Sequence, residues 1–329
     1  MRKRAFCMLF FIALSVSAQV IQKRTLSMLG SPFEMIVVAK DIPEADNYID
    51  MAVAEVSRIE YLISDWIPTT PISIVNQNAG IKPVKVPQEV FDLVGRAMKI
   101  SELTSGAFDI SYASMDKIWK FDGSMTQMPT PEEIKASVAK VGYKNIILDP
   151  KNNTIFLKNV GMKLGLGGIG QGFIADKIKT MLVAKGVVSG IVNISGDINT
   201  WGKQLDGEKW KVGIKNPMNK DKVFATFPLE DSSVETSGSY EKYVTFNGKR
   251  YSHIIDTRTG YPASGVISVS VFAKSTELAD ALATGIFVLG VDVGLDLVNQ
   301  LPGIGCIYVD DKGKIWTSKN IDLKNYKNE

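Results

Sequence analysis

A mixed α/β fold of the α+β kind, one compact two-lobed domain around a mixed, largely antiparallel sheet, is what this sequence predicts. Amphipathic helical stretches alternate with short β-branched runs through the first two thirds. The last third is mostly short strands separated by polar turns, the pattern of hairpins. No repeat, low-complexity tract or linker divides the 329 residues, and a hydrophobic content of 45% suffices for one large or two closely joined units.

The chain opens with Arg2, Lys3 and Arg4, an apolar run from Ala5 to Val16, and small residues at Ser17-Ala18, which together read as a secretory signal over residues 1–18. That run is too short to span a bilayer permanently. Cys7 lies at its start and not at a cleavage site, so no lipoprotein acceptor is seen. The expectation is an exported protein, periplasmic or at the outer face of the inner membrane, that is not an integral membrane protein, with its domain over residues 19–329. Removing the signal takes the formal net charge from +3 to neutral. The basic excess is therefore a targeting feature, and no nucleic-acid partner is expected. Cys306 is then the only cysteine, flanked by Gly305, Ile307 and Tyr308 like a buried strand thiol, and an intramolecular disulfide is excluded.

Phe33 to Ala39 reads as a strand and Ala45 to Tyr61 as an amphipathic helix. Pro87 to Leu103 forms a second helix, with Pro87 and Glu89 at its start. Thr130 to Val141 is a third, with Thr130 as N-cap, Pro131 in first position and Glu132-Glu133 in the first turn. Strands at Ile146–Leu148 and Thr154–Leu157 surround an Asp149–Asn153 turn, and Val160 to Leu164 reads as a short strand. The glycine cluster Gly165 to Gly172 leads into a helix from Phe173 to Lys185, striped by Ile174, Ile178, Met181 and Leu182 and closed by Gly186. Strands follow at Gly190–Ile194, Trp210–Ile214, Val223–Leu229, Tyr243–Phe246, Arg250–Ile255 and Val266–Phe272. A long apolar helix begins near Ser275, and Cys306–Val309 with Lys314–Thr317 makes a closing hairpin.

Inside that apolar helix stand one carboxylate and one hydroxyl, Asp280 and Thr284, four residues apart and so on one face. Two oxygen donors on a helix too apolar to be solvated suit a hard cation such as Mg²⁺. A helix-start Asp and a Thr bonded to its own backbone would look the same in sequence. Gly165-Leu166-Gly167-Gly168-Ile169-Gly170 matches the dinucleotide pattern G-x-G-x-x-G, with Asp197 placed where a ribose-binding acid would sit, so a nicotinamide-dependent oxidoreductase is a rival reading. Under either reading, glycines at a helix start present backbone N–H groups to phosphate. His253, the only histidine, lies in a strand that runs into the polar turn Asp256-Thr257-Arg258-Thr259-Gly260. It is a candidate general base, or a histidine that only bonds that turn. Trp66 lies in a polar loop with Ser64 and Asn76, either as a stacking platform or as a core indole. Ser105-Gly106-Ala107-Phe108-Asp109 joins a tight turn to an aromatic ring and an acid.

Taken together and in order, these segments resemble the FAD:protein FMN transferases, the ApbE-like flavin transferase family, from about Leu29 to Ser318. The resemblance rests on Ser64, Trp66, Ser73 and Asn76; on Ser105 to Asp109; on Leu166 to Gly172; on His253 to Gly260; and on Asp280 to Thr284. It implies an enzyme that moves FMN from FAD onto a threonine hydroxyl of an acceptor flavoprotein, redox-pump subunits among them, with release of AMP. It implies Mg²⁺, with Mn²⁺ as the alternative, held by Asp280, Thr284 and the backbone carbonyl of Gly168. It also implies flavin-nucleotide contacts at Leu29, Trp66, Ala107, Phe108, Asp109, Gln171 and Ile254, and at the position of Gly165. Here Gly165 replaces a frequent acid, Gln171 a Lys or Glu, Thr257 a Pro, and Leu29-Gly30-Ser31 the usual Met-Gly-Thr. An FAD pyrophosphatase using the same site, with water in place of the acceptor, and a non-catalytic flavin carrier are the nearer rivals.

Overall fold

The computed structural model describes residues 19–239 and 242–323; the expected signal segment lies outside them. Strands β1 (Val20–Met28) and β2 (Ser31–Ala39) form a hairpin whose turn residues Leu29 and Gly30 both have positive φ, 56° and 68°. Such a turn matches the twist of two antiparallel strands. Helix α1 (Ile42–Ile63) starts where the Asp41 side chain accepts from the Glu44 N–H. It buries Ala45, Ile49, Ala52, Val56, Ile59 and Ile63, one apolar stripe at helical spacing. Then come α2 (Pro71–Gln77), β3 (Val84–Lys85), α3 (Gln88–Leu103) and α4 (Pro131–Ser137). Thr130 and Glu133 make a full capping box at α4, which stops short of the predicted Val141.

Strands β4 (Ile146–Asp149) and β5 (Thr154–Leu157) pair with β3 in a small sheet. No strand forms over 160–164. Asn76 takes the place of a strand neighbour there: its amide donates to the Leu164 carbonyl (2.9 Å) and its oxygen accepts the Leu164 N–H (2.7 Å). The remaining elements are α5 (Gly170–Ala184), β6 (Gly190–Ile194), β7 (Asp197–Trp201), β8 (Trp210–Asn216), β9 (Asn219–Leu229), β10 (Ser233–Gly238), β11 (Tyr243–Phe246), β12 (Lys249–Ser252), β13 (Val266–Ala273), α6 (Thr276–Asn299), β14 (Gly305–Asp310) and β15 (Ile315–Thr317).

Eight strands make the main sheet in the order β1-β2-β6-β7-β10-β13-β14-β15, every pair antiparallel. Helices α1, α5 and α6 pack on this sheet, while the β8–β9 hairpin forms its own apolar cluster with Val234 and Ile307. Antiparallel pairing without a preceding strand is the wrong context for a dinucleotide fingerprint, which needs a parallel βαβ unit. The nicotinamide reading therefore loses its support. Helix α6 is long and apolar enough to cross a membrane by composition. Its first half is instead sheet core, with Ala279, Ala281, Leu282, Ala283, Ile286 and Phe287 fully buried. It kinks at Gly290 (φ 80°, ψ 177°).

Helices α5 and α6 meet at Gly172, where an added Cβ would stand 2.4 Å from the Thr276 carbonyl oxygen. Backbone cannot give way as a flexible side chain does, so Gly172→Ala is expected to destabilise the fold by about 3 kcal/mol. A urea-unfolding midpoint compared with that of the parent protein measures it.

Candidate active site

Asp280 lies one turn into α6, whose start is tied down twice. Ser275 caps it by accepting from the Leu278 N–H, and Asp176 on α5 accepts from the N–H groups of Thr276 (2.9 Å) and Glu277 (3.1 Å). The Gly172 N–H donates to the Asp280 carboxylate at 3.1 Å, so the helix start beyond the glycine cluster faces this acid directly. Thr284 follows one turn later. Gly168 packs against it: a Cβ at Gly168 would stand 3.5 Å from Thr284 Oγ1 and 3.4 Å from the Phe108 ring. A buried carboxylate, a hydroxyl and a glycine carbonyl make an all-oxygen donor set that fits a hard divalent cation.

Phe108, Gly168 and Thr284 line a cavity of about 380 Å³ together with Ala107, Asp109, His253 and Ile254. The turn carrying Ala107 is held to the histidine turn by Thr257, whose hydroxyl donates to the Gly106 carbonyl (2.8 Å). Asp109 is almost wholly engaged in shaping its own loop. Its carboxylate accepts from the Ser111 N–H and hydroxyl and from the Tyr143 N–H, at 2.6 to 2.7 Å. Burial nevertheless raises its pKa, against the pull of those donors.

His253 is exposed at the cavity rim. Its Nδ1 lies 3.2 Å from the Lys242 carbonyl oxygen, which can only accept; Nδ1 therefore carries the proton and Nε2 is the basic nitrogen.

Leu29, Trp66 and Gln171 meet in a second hollow of about 180 Å³, and Gly167 lines both. Trp66 is not a core residue: 79% of it is exposed, with Lys117 Nζ 4.8 Å from its ring centroid. Gly165 lines neither hollow. Its N–H donates to the Ile110 carbonyl (2.8 Å), and a Cβ there would press on the Tyr112 ring at 3.1 Å.

Sequence reasoning missed two acids that the sheet brings beside Asp280. Oxygens of Asp197, Glu235 and Asp280 lie within 4.8 Å of one another, all buried. Asp197 was visible only as a ribose-binding acid, and Glu235 not at all; a carboxylate at an alternating position between Val234 and Thr236 was the available signal. Burial raises the pKa of all three carboxyls, and mutual repulsion adds to it for Asp197 and Glu235. A carboxyl whose folded-state pKa is raised contributes stability at low pH and loses it as pH rises through that value. Metal-free protein is therefore expected to melt at a lower temperature at about pH 8 than at about pH 5.5, and added Mg²⁺ to reduce the difference. Thermal melts with and without chelator measure this.

An antiparallel α/β sheet protein whose glycine ridge, helix hydroxyl and rim histidine line one cavity, with a buried acid one helical turn away, is the class that fold and site define. The chain belongs to the ApbE family, whose model matches residues 29–308. Among its relatives, the FAD:protein FMN transferase of Treponema pallidum is 32% identical over 277 residues, 80% of this chain and 76% of that protein. The crystal structure of the ApbE protein of Thermotoga maritima superposes with a TM-score of 0.84 at 30% identity, covering 94% of this chain and 100% of that one. The flavinyl transferase ApbE of Pseudomonas stutzeri in its apo form gives 0.81 at 27% identity, covering 92% and 95%.

Proposed function

We propose that this chain is an exported, Mg²⁺-dependent FAD:protein FMN transferase. The observation that carries the reading is that Gly168 and Thr284 line a cavity whose rim holds His253, with the buried carboxylate of Asp280 one helical turn before Thr284. Asp280, Thr284 and the Gly168 carbonyl would hold the ion. Bound there, Mg²⁺ would offset diphosphate charge and make AMP a better leaving group.

The chain's own residues supply the rest. Gly167 and Gly168 separate the two hollows, so the diphosphate of FAD lies over them and each end of the dinucleotide takes one hollow. Glycine matters here because a Cβ at Gly167 would stand 2.9 Å from Tyr112 Oη and one at Gly168 would crowd Phe108 and Thr284. His253 takes the proton of the acceptor threonine as its oxygen attacks the phosphorus on the FMN side. The bond from that phosphorus to the bridging oxygen breaks, and AMP departs. An exposed base suits a hydroxyl delivered by another protein, because a deeply buried one would be out of its reach. Redox-pump subunits carrying a short threonine motif are the acceptor class this reading favours. Export rests on the composition of residues 1–18 and places the reaction in the periplasm or at the outer face of the inner membrane.

Incubating the protein with FAD, Mg²⁺ and a threonine-containing acceptor, with and without chelator, tests this by mass spectrometry. The expected product is an acceptor heavier by FMN less one water, formed only without chelator. Free FMN with unmodified acceptor means that water is the nucleophile and the protein a pyrophosphatase. Intact FAD means a carrier.

A further inference from the structure

We propose that the Tyr112 hydroxyl is a further catalytic group, donating a hydrogen bond to the bridging oxygen of the FAD diphosphate as AMP leaves. This role rests on the transferase reading, which lays that diphosphate over the Gly167–Gly168 ridge.

Tyr112 is fixed beside the ridge by its own backbone. It belongs to a short 3₁₀ turn, Ile110–Ser114, capped at its start by Asp109, whose carboxylate accepts the Ser111 N–H. The turn is stitched to the segment that leads into the glycine cluster. The Ile110 carbonyl accepts the Gly165 N–H at 2.8 Å. The Ser114 hydroxyl donates to the Lys163 carbonyl at 3.0 Å and accepts the Lys163 N–H at 2.7 Å. Ile110, Ser111 and Ser114 are buried, while Tyr112 turns outward and lines the larger cavity.

The ring lies along the ridge. A Cβ at Gly165 would stand 3.1 Å from its Cε1 and Cζ, and one at Gly167 would stand 2.9 Å from its Oη. Tyr112 therefore fills the side-chain space of both glycines. Gly167 lines both hollows, so the hydroxyl stands at the crest between them.

The phenol is arranged as a donor. The Gly167 N–H bonds its oxygen, and accepting one hydrogen bond strengthens the donation of the next. Among the described residues no acceptor takes the phenol proton. A phenol keeps that proton through the neutral range. The Gly167 amide, turned to Tyr112, thus reaches the phosphates through the O–H group.

The step needs a donor at this point. The bond from the threonine oxygen to the FMN-side phosphorus forms, and the threonine proton passes to His253. The bond from that phosphorus to the bridging oxygen breaks, and this oxygen keeps the electron pair as AMP departs. Entering and leaving oxygens lie roughly in line, so His253 at the rim serves the first and Tyr112 at the crest the second. Negative charge grows on the leaving oxygen, and a preorganised donor there stabilises the transition state more than the bound substrate. Tyr112 keeps its proton throughout.

The test is Tyr112→Phe, which removes the oxygen and keeps the ring. Single-turnover AMP release with FAD, Mg²⁺ and a fixed acceptor is expected to fall about 10- to 100-fold, as for one lost hydrogen bond to a charged oxygen. FAD affinity, from equilibrium quenching of flavin fluorescence, should change less than about threefold, and the melting temperature should hold. An unchanged release rate overturns the proposal. A rate loss matched by an equal loss of FAD affinity also overturns it, since the contact would then serve binding alone. Should the variant fail to fold, crystals of the parent with FAD and Ca²⁺ decide: Tyr112 Oη more than about 3.5 Å from every diphosphate oxygen overturns the proposal. Free FMN beside unmodified acceptor would sink the transferase reading and leave this one standing, because AMP departs in the same way. Intact FAD would sink both.

Discussion

Asp280→Asn is expected to lower FMN transfer by about 10³-fold or more, with the fold intact. Asparagine keeps an oxygen to accept the Gly172 N–H, so the contact between α5 and α6 survives. The change removes a negative charge at a site where burial already opposes it, and so the melting temperature of metal-free protein should hold or rise. What is lost is the anionic ligand that anchors the cation beside the diphosphate. Charge neutralisation at a transferring phosphoryl group is worth several kcal/mol, and about 4 kcal/mol corresponds to roughly 10³ in rate. Steady-state transfer rates across a Mg²⁺ series, alongside melting curves, separate this effect from unfolding. A variant that retains the parent rate at saturating Mg²⁺ would move the cation elsewhere.

His253→Gln is expected to cost about 10² to 10⁴ in the rate of transfer, the usual contribution of a positioned general base. The histidine sits at the rim, and its exposure means that little packing is lost. FAD affinity should barely change, because the imidazole acts on the acceptor hydroxyl and not on the dinucleotide. Single-turnover rates on a fixed acceptor provide the comparison. A full rate for the variant assigns the base to another group.

Where a segment's polarity reported its surroundings, the fold was legible. Helices α1 and α3 present apolar stripes to one core, and α4 announces itself by Thr130, Pro131 and Glu133. Strands β1, β7 and β10 escaped notice because several of their inward residues are polar. In β1, Gln22 and Arg24 meet Asp46 and Asp50 on α1. On β7 and β10 the buried side chains include Asp197, Asn199, Ser233 and Glu235, which an apolar-alternation rule reads as solvent-facing.

The site followed the same division. Spacing was enough to pair Asp280 with Thr284, and the rim position of His253 could be expected from a strand running into a polar turn. No local pattern could show that Asn76 would serve as a strand neighbour for Leu164, 88 positions away. Nor could spacing show that Glu235 would come level with Asp197, since that depends on strand order in a sheet whose neighbours are not consecutive.

The most direct measurement is a crystal structure with FAD and Mn²⁺, locating the ion by its anomalous scattering. The account predicts density between Asp280, Thr284 and the Gly168 carbonyl, in contact with the diphosphate of FAD. Flavin dinucleotide bound with its phosphates away from the Gly167–Gly168 ridge, or manganese with no contact to Asp280, would contradict it.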